Sequence, residues 1–553
     1  MSPADPTPTL AVHGSTSSPK GRSLHTTTSV SPSTRLATYT SPLLALPTAA
    51  TSLQTCHHCL RTPPAVHPCS ACRAVSYCSK TCQRASWKLV HKAECAALKN
   101  VPAGRELPTP VRALLQVVVR KEVWGAVVGG LVGHEGEFRR DRGGRVWGDL
   151  RLQGEMVRML LGGEREWVGG GDVVGKYAVA MCKLLTNMFN VHDPDLGYDA
   201  VFLDGGLAMV NHSCVPNASA HIFGRTAILV SERPIEADEE VTISYTDPSY
   251  PLAQRKQDLA KYHFECKCPR CEDDLNIYDA TRLLHPATIK ANAFSLIQDP
   301  NLLTNPSPSS SPFPKGTTLQ TTIHNAIEDL PQMPSDQPKD LPRLRAEYKI
   351  CSPLIKTSLW AMLPPSFLTD CLTYYLSREA HTESLLITCL AACRIHPFTH
   401  PNPANPYRLK GALALCRALS NATADRSVYA SSLRAVYTRT EKVAASGARD
   451  VDVDLLVDLD AVATGRMLFD MLEHYVPVTQ LDDWPLAVQV REGREAVRGI
   501  PWGLDAASRK VMEQWESREG GDEAWLGIWR RMVDLLDGLA ELGARMVVAD
   551  FGE

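Results

Sequence analysis

Between Cys56 and Cys95 the chain carries eight potential metal ligands in four close pairs: Cys56-x2-Cys59, Cys69-x2-Cys72, Cys78-x3-Cys82 and His91-x3-Cys95. Zinc takes four thiolate or imidazole ligands in a tetrahedron, and a site closed by four protein ligands is structural rather than catalytic. Eight ligands in four pairs therefore predict two ions. His91 and Cys95 stand four apart, so on a helix they share a face and reach one metal, with Trp87 a turn earlier to cover it. A segment of about forty residues has too little core to fold unaided, so metal binding supplies most of its stability.

The competing reading of such a cluster is buried or disulfide-bonded cysteine, and compartment decides between them. The first twenty residues hold Pro, Ser and Thr but no apolar run of the secretory kind. No stretch of about eighteen apolar residues appears either, so neither a signal nor a membrane span is expected. A reducing compartment follows, where clustered cysteines bind metal. Without an evident basic import cluster, the nucleus and the cytoplasm both stay open. The 58 basic and 61 acidic residues give a net charge of −3, which argues against nucleic-acid binding by the whole chain.

At 553 residues and 44% hydrophobic, the chain has room for two to four domains with real cores. Residues 1–18 read as a disordered tail by composition. Short strands separated by turns are expected from Lys20 to about Pro47, and helical spacing from Leu98 to Val128. Residues 129–175 are glycine-rich and charged, and read as a partly loop-like insertion with helix around Met156 to Leu161. Residues 200–246 read as strands: Val241, Ile243 and Tyr245 alternate with Thr242, Ser244 and Thr246, the period of a half-buried strand. A linker region follows over 275–318, richest in Pro and Ser from 299 to 318. Beyond it the pattern turns helical, with Trp525, Ile528, Met532, Leu535, Leu539 and Leu542 on one face and Leu409, Leu413 and Cys416 on another. No fixed-period repeat is evident, though stacked helical hairpins fit the pattern. Gly170 to Lys176 matches phosphate-loop spacing, but Tyr177 stands where that loop needs Ser or Thr, and the match reads as coincidence.

A second cluster, Cys266-x-Cys268-x2-Cys271, supplies three thiolates, one short of a closed site. Cys214 is the best fourth ligand, with Cys182 and His263 as competitors. If Cys214 completes the set, the metal pins the segment after Tyr245 onto the loop holding Asn211 and His212.

The finger, with Tyr77-Cys78-Ser79-Lys80 and Trp87-x3-His91-x3-Cys95, resembles the MYND zinc finger. The run Asn211-His212-Ser213-Cys214-x-Pro216-Asn217 is similar to the SET core of the SET-and-MYND methyltransferases. So are Glu239-Glu240-Val241-Thr242-Ile243-Ser244-Tyr245 and Tyr262-His263-Phe264-Glu265-Cys266-x-Cys268-x2-Cys271. Lys20-Gly21-Arg22-Ser23-Leu24 resembles their opening glycine turn, so the likeness covers roughly residues 19–274.

The resemblance implies an α+β protein: a mostly-β SET fold with an inserted MYND finger, a cysteine-rich post-SET segment and an α-helical C-terminal domain. The implied boundaries are 1–18 tail, 19–52 first SET part, 53–97 finger, 98–180 insertion, 181–246 SET core, 247–274 post-SET segment, 275–318 linker and 319–553 helical domain. One zinc would take Cys56, Cys59, Cys78 and Cys82; a second Cys69, Cys72, His91 and Cys95; a third Cys214, Cys266, Cys268 and Cys271. The implied activity is transfer of a methyl group from S-adenosylmethionine to a lysine of a histone or other protein. A SET-like adaptor without catalysis, binding partners through finger and helices, is the alternative. Lys20, Gly21, Arg22, Asn187, Asn211, His212 and Phe264 would bind the cofactor, with Asn211 and His212 using backbone and side-chain hydrogen bonds. Tyr245 would sit at the transfer point and Tyr262 would line the lysine channel. Proline-containing peptides would bind the finger, a monomer is expected, and the helical domain would cover one side of the cleft or bind a partner, with His396 to Leu419 its most suggestive stretch.

Each aromatic also has a plain reading as core, and Asn187 as a helix-end residue. Two positions depart from the family: Ser23 stands where a second glycine is usual, which would tighten the turn, and Asp238 replaces the glycine before Glu239.

Overall fold

The computed structural model describes residues 10–14, 21–63, 65–102, 105–193, 198–247, 252–272, 340–356, 360–363, 365–400, 402–443, 450–500, 506–517 and 521–552. Lys20 and the 275–318 linker region lie outside them. The chain divides into two compact units, one running to Lys267 apart from short excursions, the other holding the helices from Leu341 onward. The mixed α+β class is as expected.

In the first unit, β1 (Leu10–Gly14), β2 (Arg22–Thr26), β9 (Asn211–His212) and β12 (Glu240–Ile243) form one sheet in the order β1-β2-β12-β9. Two three-stranded sheets accompany it. One runs β10-β11-β3, from β10 (Ala218–Phe223), β11 (Thr226–Ser231) and β3 (Arg35–Tyr39). The other runs β4-β8-β7, from β4 (Leu44–Pro47), β8 (Tyr198–Leu203) and β7 (Phe189–Asp193). The alternation that predicted β12 is what places it: Val241 and Ile243 are buried while Glu240 and Thr242 are half-buried. Its antiparallel edge pairs Glu240 with His25 and Val241 with Leu24, and its parallel edge pairs Thr242 with Asn211 and Ile243 with His212. One strand thus holds the opening glycine turn on one flank and Asn211-His212 on the other.

One expectation needs correction and another needs extending. Leu10–Gly14 is not part of a disordered tail but strand β1, paired antiparallel with β2 from Leu10–Thr26 to Gly14–Arg22. An edge strand is held by main-chain hydrogen bonds, which a Pro- and Ser-rich composition does not report. The 129–175 insertion keeps loop at 131–134 and around 162–172 and has the expected helix at Met156 to Leu161, but that helix begins earlier, at Arg145, and further helices flank it. The insertion lies among α3 (Thr109–Val118), α4 (Lys121–Gly130), α5 (Glu135–Arg140), α6 (Arg145–Leu161) and α7 (Val173–Asn187). Some of its glycines serve termini and contacts. Gly144 and Gly162 take positive φ at the two ends of α6, and a Cβ on Gly154 would lie 3.0 Å from Tyr177 Cβ, so glycine permits a close α6–α7 crossing. The phosphate-loop look-alike is filled by the protein: Asp172 caps α7 by accepting from Gly175 N at 2.9 Å, and Lys176 Nζ donates to the carbonyls of Val168 and Gly170.

The second unit is helical. Ile528, Met532, Leu539 and Leu542 are buried along Gly521–Phe551, and Leu409, Leu413 and Cys416 along Pro406–Ala422, as their spacing predicted. A Cβ on Gly543 would stand 2.5 Å from Leu386 O, the mark of a tight crossing with His381–Arg394. Asn405, Asp425, Asp452 and Asp460 cap the helices they precede. Among the described residues no helix is long and apolar enough to cross a membrane.

Candidate functional site

The finger is built on a hairpin, β5 (His67–Pro68) with β6 (Ser76–Tyr77), and on consecutive helical segments. Ser79 opens α1 (Lys80–Ser86) by accepting from Cys82 N at 3.2 Å. The helix passes through a π turn, Trp87–His91, into α2 (Lys92–Leu98), so the wider turn carries the ligating histidine. The eight ligands gather as two sets of four, Cys56/Cys59/Cys78/Cys82 and Cys69/Cys72/His91/Cys95, each with ligand atoms within 4.8 Å of one another. Trp87 packs edge-on against His91 with ring centroids 5.7 Å apart, the cover expected of it. Sequence reasoning missed Glu94, a buried carboxylate whose Oε1 lies 3.2 Å from His91 Nδ1. Burial alone would raise its carboxyl, but Arg112 and His91 outweigh that and hold it at about 2.

A third set joins Cys214, Cys266, Cys268 and Cys271, again within 4.8 Å. The competitors are elsewhere: Cys182 is buried inside α7, where desolvation pushes its thiol up to about 12, and the His263 ring packs on Phe138 at 4.6 Å. Three thiolate-rich sets of four therefore fit zinc, each closed as a structural site requires.

Next to the third set lies an aromatic cluster. Tyr245 has ring centroids 4.9 Å from Tyr262, 5.3 Å from His212 and 6.4 Å from Phe264, and His212 lies 5.8 Å from Phe264. The His212 tautomer follows from its partners. Tyr245 N donates to Nδ1 at 3.0 Å, so the ring proton sits on Nε2, 3.2 Å from Cys214 Sγ. The imidazole thus bridges a metal thiolate and the backbone of Tyr245. Asn211 is engaged similarly, its Nδ2 donating to Arg22 O at 3.1 Å and Glu240 Oε1 at 2.8 Å. Both ring nitrogens of His212 therefore have partners within the protein. The Tyr245 hydroxyl donates to Val210 O at 2.6 Å, and burial, with Tyr262 and Glu240 adding, pushes its phenol far above the usual range.

Gly21 has φ +70 with open space before it, and Arg22 opens β2 beside it. Ser23 lies in the β1–β2 ladder opposite His13, with Oγ 2.9 Å from His25 Nε2, so the strand accommodates a serine at that position. Asp238 takes φ +62, the left-handed conformation that explains why glycine suits that position and why aspartate serves. Arg22 and Asn187 converge on the α4–α5 loop: Arg22 Nη2 donates to Gly130 O, and Asn187 Nδ2 donates to Val132 O at 2.7 Å and Lys183 O at 2.7 Å. Sequence reasoning also missed His134 at the end of that loop, with φ +48 and its ring 5.9 Å from His263.

The MYND finger family matches residues 56–95. Over 227 residues the chain is 33% identical to "SET domain and MYND-type zinc finger protein 6" of Schizosaccharomyces pombe, covering 41% of this chain and 45% of that protein. The chain thus carries a MYND finger and is similar, over part of its length, to SET-and-MYND proteins. Other relatives include "Histone-lysine N-methyltransferase ASHR1" of Arabidopsis thaliana, 26% identical over 46% of this chain and 53% of that one. "Histone-lysine N-methyltransferase SMYD3" of Homo sapiens is 30% identical over 39% and 51%. The matched stretch spans about half the length of these relatives.

Proposed function

We propose that this chain is an S-adenosylmethionine-dependent protein-lysine methyltransferase. The observation that carries the reading is the convergence of His212, Tyr245, Tyr262 and Phe264 beside a closed thiolate set. Relatives named as histone-lysine and N-lysine methyltransferases support it. The residues present fit the cofactor. Phe264 keeps 37% of its surface exposed, an aromatic face free for adenine, and Gly21 leaves its backbone open to close approach. Lys20 and Arg22 would meet the carboxylate, and Gly21, Asn187, Asn211, His212 and Phe264 would hold the remainder.

Bound S-adenosylmethionine would supply an activated sulfonium methyl. The protein's part is alignment and dehydration. A lysine amine is protonated in water, with a reference pKa of about 10.4. Tyr245 and Tyr262 form an aromatic wall that strips water from the ammonium and favours the neutral amine. The Tyr245 phenol stays protonated, so it orients the amine and does not act as its base. In-line placement lowers the remaining barrier.

The substrate would be a lysine of a histone or another protein, encountered in the nucleus, the cytoplasm or both. The finger would recruit partners, among them proline-containing peptides, and the chain would act as a monomer without direct nucleic-acid binding. One observation favours the second reading, an adaptor: the side-chain N–H groups of Asn187 and Asn211 and both His212 ring nitrogens are already engaged within the protein. Calorimetric titration of the zinc-loaded protein with S-adenosylmethionine separates the two. Saturable heat at one site supports the enzyme; no heat with three zinc ions present establishes the adaptor.

A further inference from the structure

A carboxylate that is almost wholly buried needs partners that compensate its lost hydration. Glu94 is 1% exposed and has three. Its Oε1 lies 3.2 Å from His91 Nδ1 and 3.5 Å from Arg112 Nη2, and its Oε2 accepts from Gln116 Nε2 at 3.0 Å. His91 belongs to the finger's second ligand set, with Nε2 3.7 Å from Cys72 Sγ. Arg112 and Gln116 stand four apart on one face of α3, outside the finger.

We infer that Glu94 is a positioning residue for the second metal of the finger, and that it ties that metal to helix α3. With Nδ1–H donated to the carboxylate, Nε2 is left as the metal-binding lone pair and the ring is held in the plane the site needs. Such outer carboxylates raise the basicity of a ligating imidazole, and losing one typically weakens metal binding about 10–100-fold. The carboxylate that does this is itself held by α3, so the docking of the finger on that helix and the occupancy of the site are linked equilibria. No comparable tie reaches the four-cysteine set among the bonds described for Cys56, Cys59, Cys78 and Cys82. The two metals of the finger are therefore unequal: the second is the one whose retention depends on the surrounding unit. This inference does not depend on methyl transfer.

The test is site-resolved zinc release from the full-length, zinc-loaded protein. Excess chelator is added, and each cysteine is followed by alkylation and mass spectrometry as its metal leaves. Glu94→Ala and Glu94→Gln should speed alkylation of Cys69, Cys72 and Cys95 about 10–100-fold, while Cys56, Cys59, Cys78, Cys82 and the Cys266–Cys271 set keep their rates. Arg112→Met leaves every ligand and His91 untouched and should speed the same three thiols. If Glu94→Ala does not fold, the other two variants carry the test. Val111→Ala, at a fully buried α3 position, should lower the melting temperature without singling out those three thiols. Unchanged rates in the Glu94 variants, or equal acceleration across all three sets, would overturn the inference.

Discussion

At Tyr245 a single hydroxyl joins a packing contact to the proposed chemistry. It donates to the buried carbonyl of Val210, so Tyr245→Phe leaves an acceptor unpaired and should cost about 0.5–1.5 kcal/mol. Methyl transfer should fall about 10²-fold or more, as when one positioned donor is removed from a site, while S-adenosylmethionine affinity stays near the parent value. Radiolabelled transfer to histones and cell extracts measures the first and calorimetry the second; unchanged turnover removes the hydroxyl from the mechanism. His212 gives a different signature, because its two nitrogens face a thiolate and the Tyr245 backbone. His212→Ala should hasten loss of the third zinc and lower transfer together, where Tyr245→Phe should lower transfer without loss of zinc. Residues of this kind differ in how far the sequence discloses them. Metal ligands are legible because a tetrahedron demands fixed spacings, and all twelve gather as expected. Glu94 was not legible, since its partners Arg112 and Gln116 reach it only once α3 has docked. The tautomer of His212 was equally hidden, being set by a main-chain donor thirty-three residues away.

Among elements, β12 was readable because a half-buried strand writes its period into the side chains, whereas β1 was not, because edge pairing is a main-chain affair. The full extent of helix in the insertion was obscured by its glycines, which composition reads as loop, although Gly154 is a helix contact in the structure. Two substitutions on α6 separate the roles. Gly148 is exposed and faces open space, so Gly148→Ala should stabilise the protein by roughly 0.5–1 kcal/mol. Gly154→Val should destabilise it by about 1–3 kcal/mol, because its first added carbon already meets Tyr177 at 3.0 Å and Val174 O at 3.3 Å. Thermal denaturation reads both; equal shifts would mean that α6 and α7 do not cross as closely as described.

On the scale of the whole molecule, metal divides the chain. The first unit holds both finger sites, and the second has its own apolar core from Leu344 to Phe551. Chelation should release three zinc ions and raise hydrogen exchange over 56–98 and 211–217. The helices beyond Leu341 should keep their protection, their core containing none of the twelve ligands. Uniform loss of protection along the chain would contradict this division. The nearness of Phe264 to Cys266 has a last consequence. The proposed adenine platform stands two residues from a thiolate, so an oxidant such as peroxide that reacted there would unseat the platform without altering any aromatic in the pocket. Loss of donor binding under oxidative stress, restored by a reductant and zinc, would then be a property of the anchor and not of the chemistry it supports.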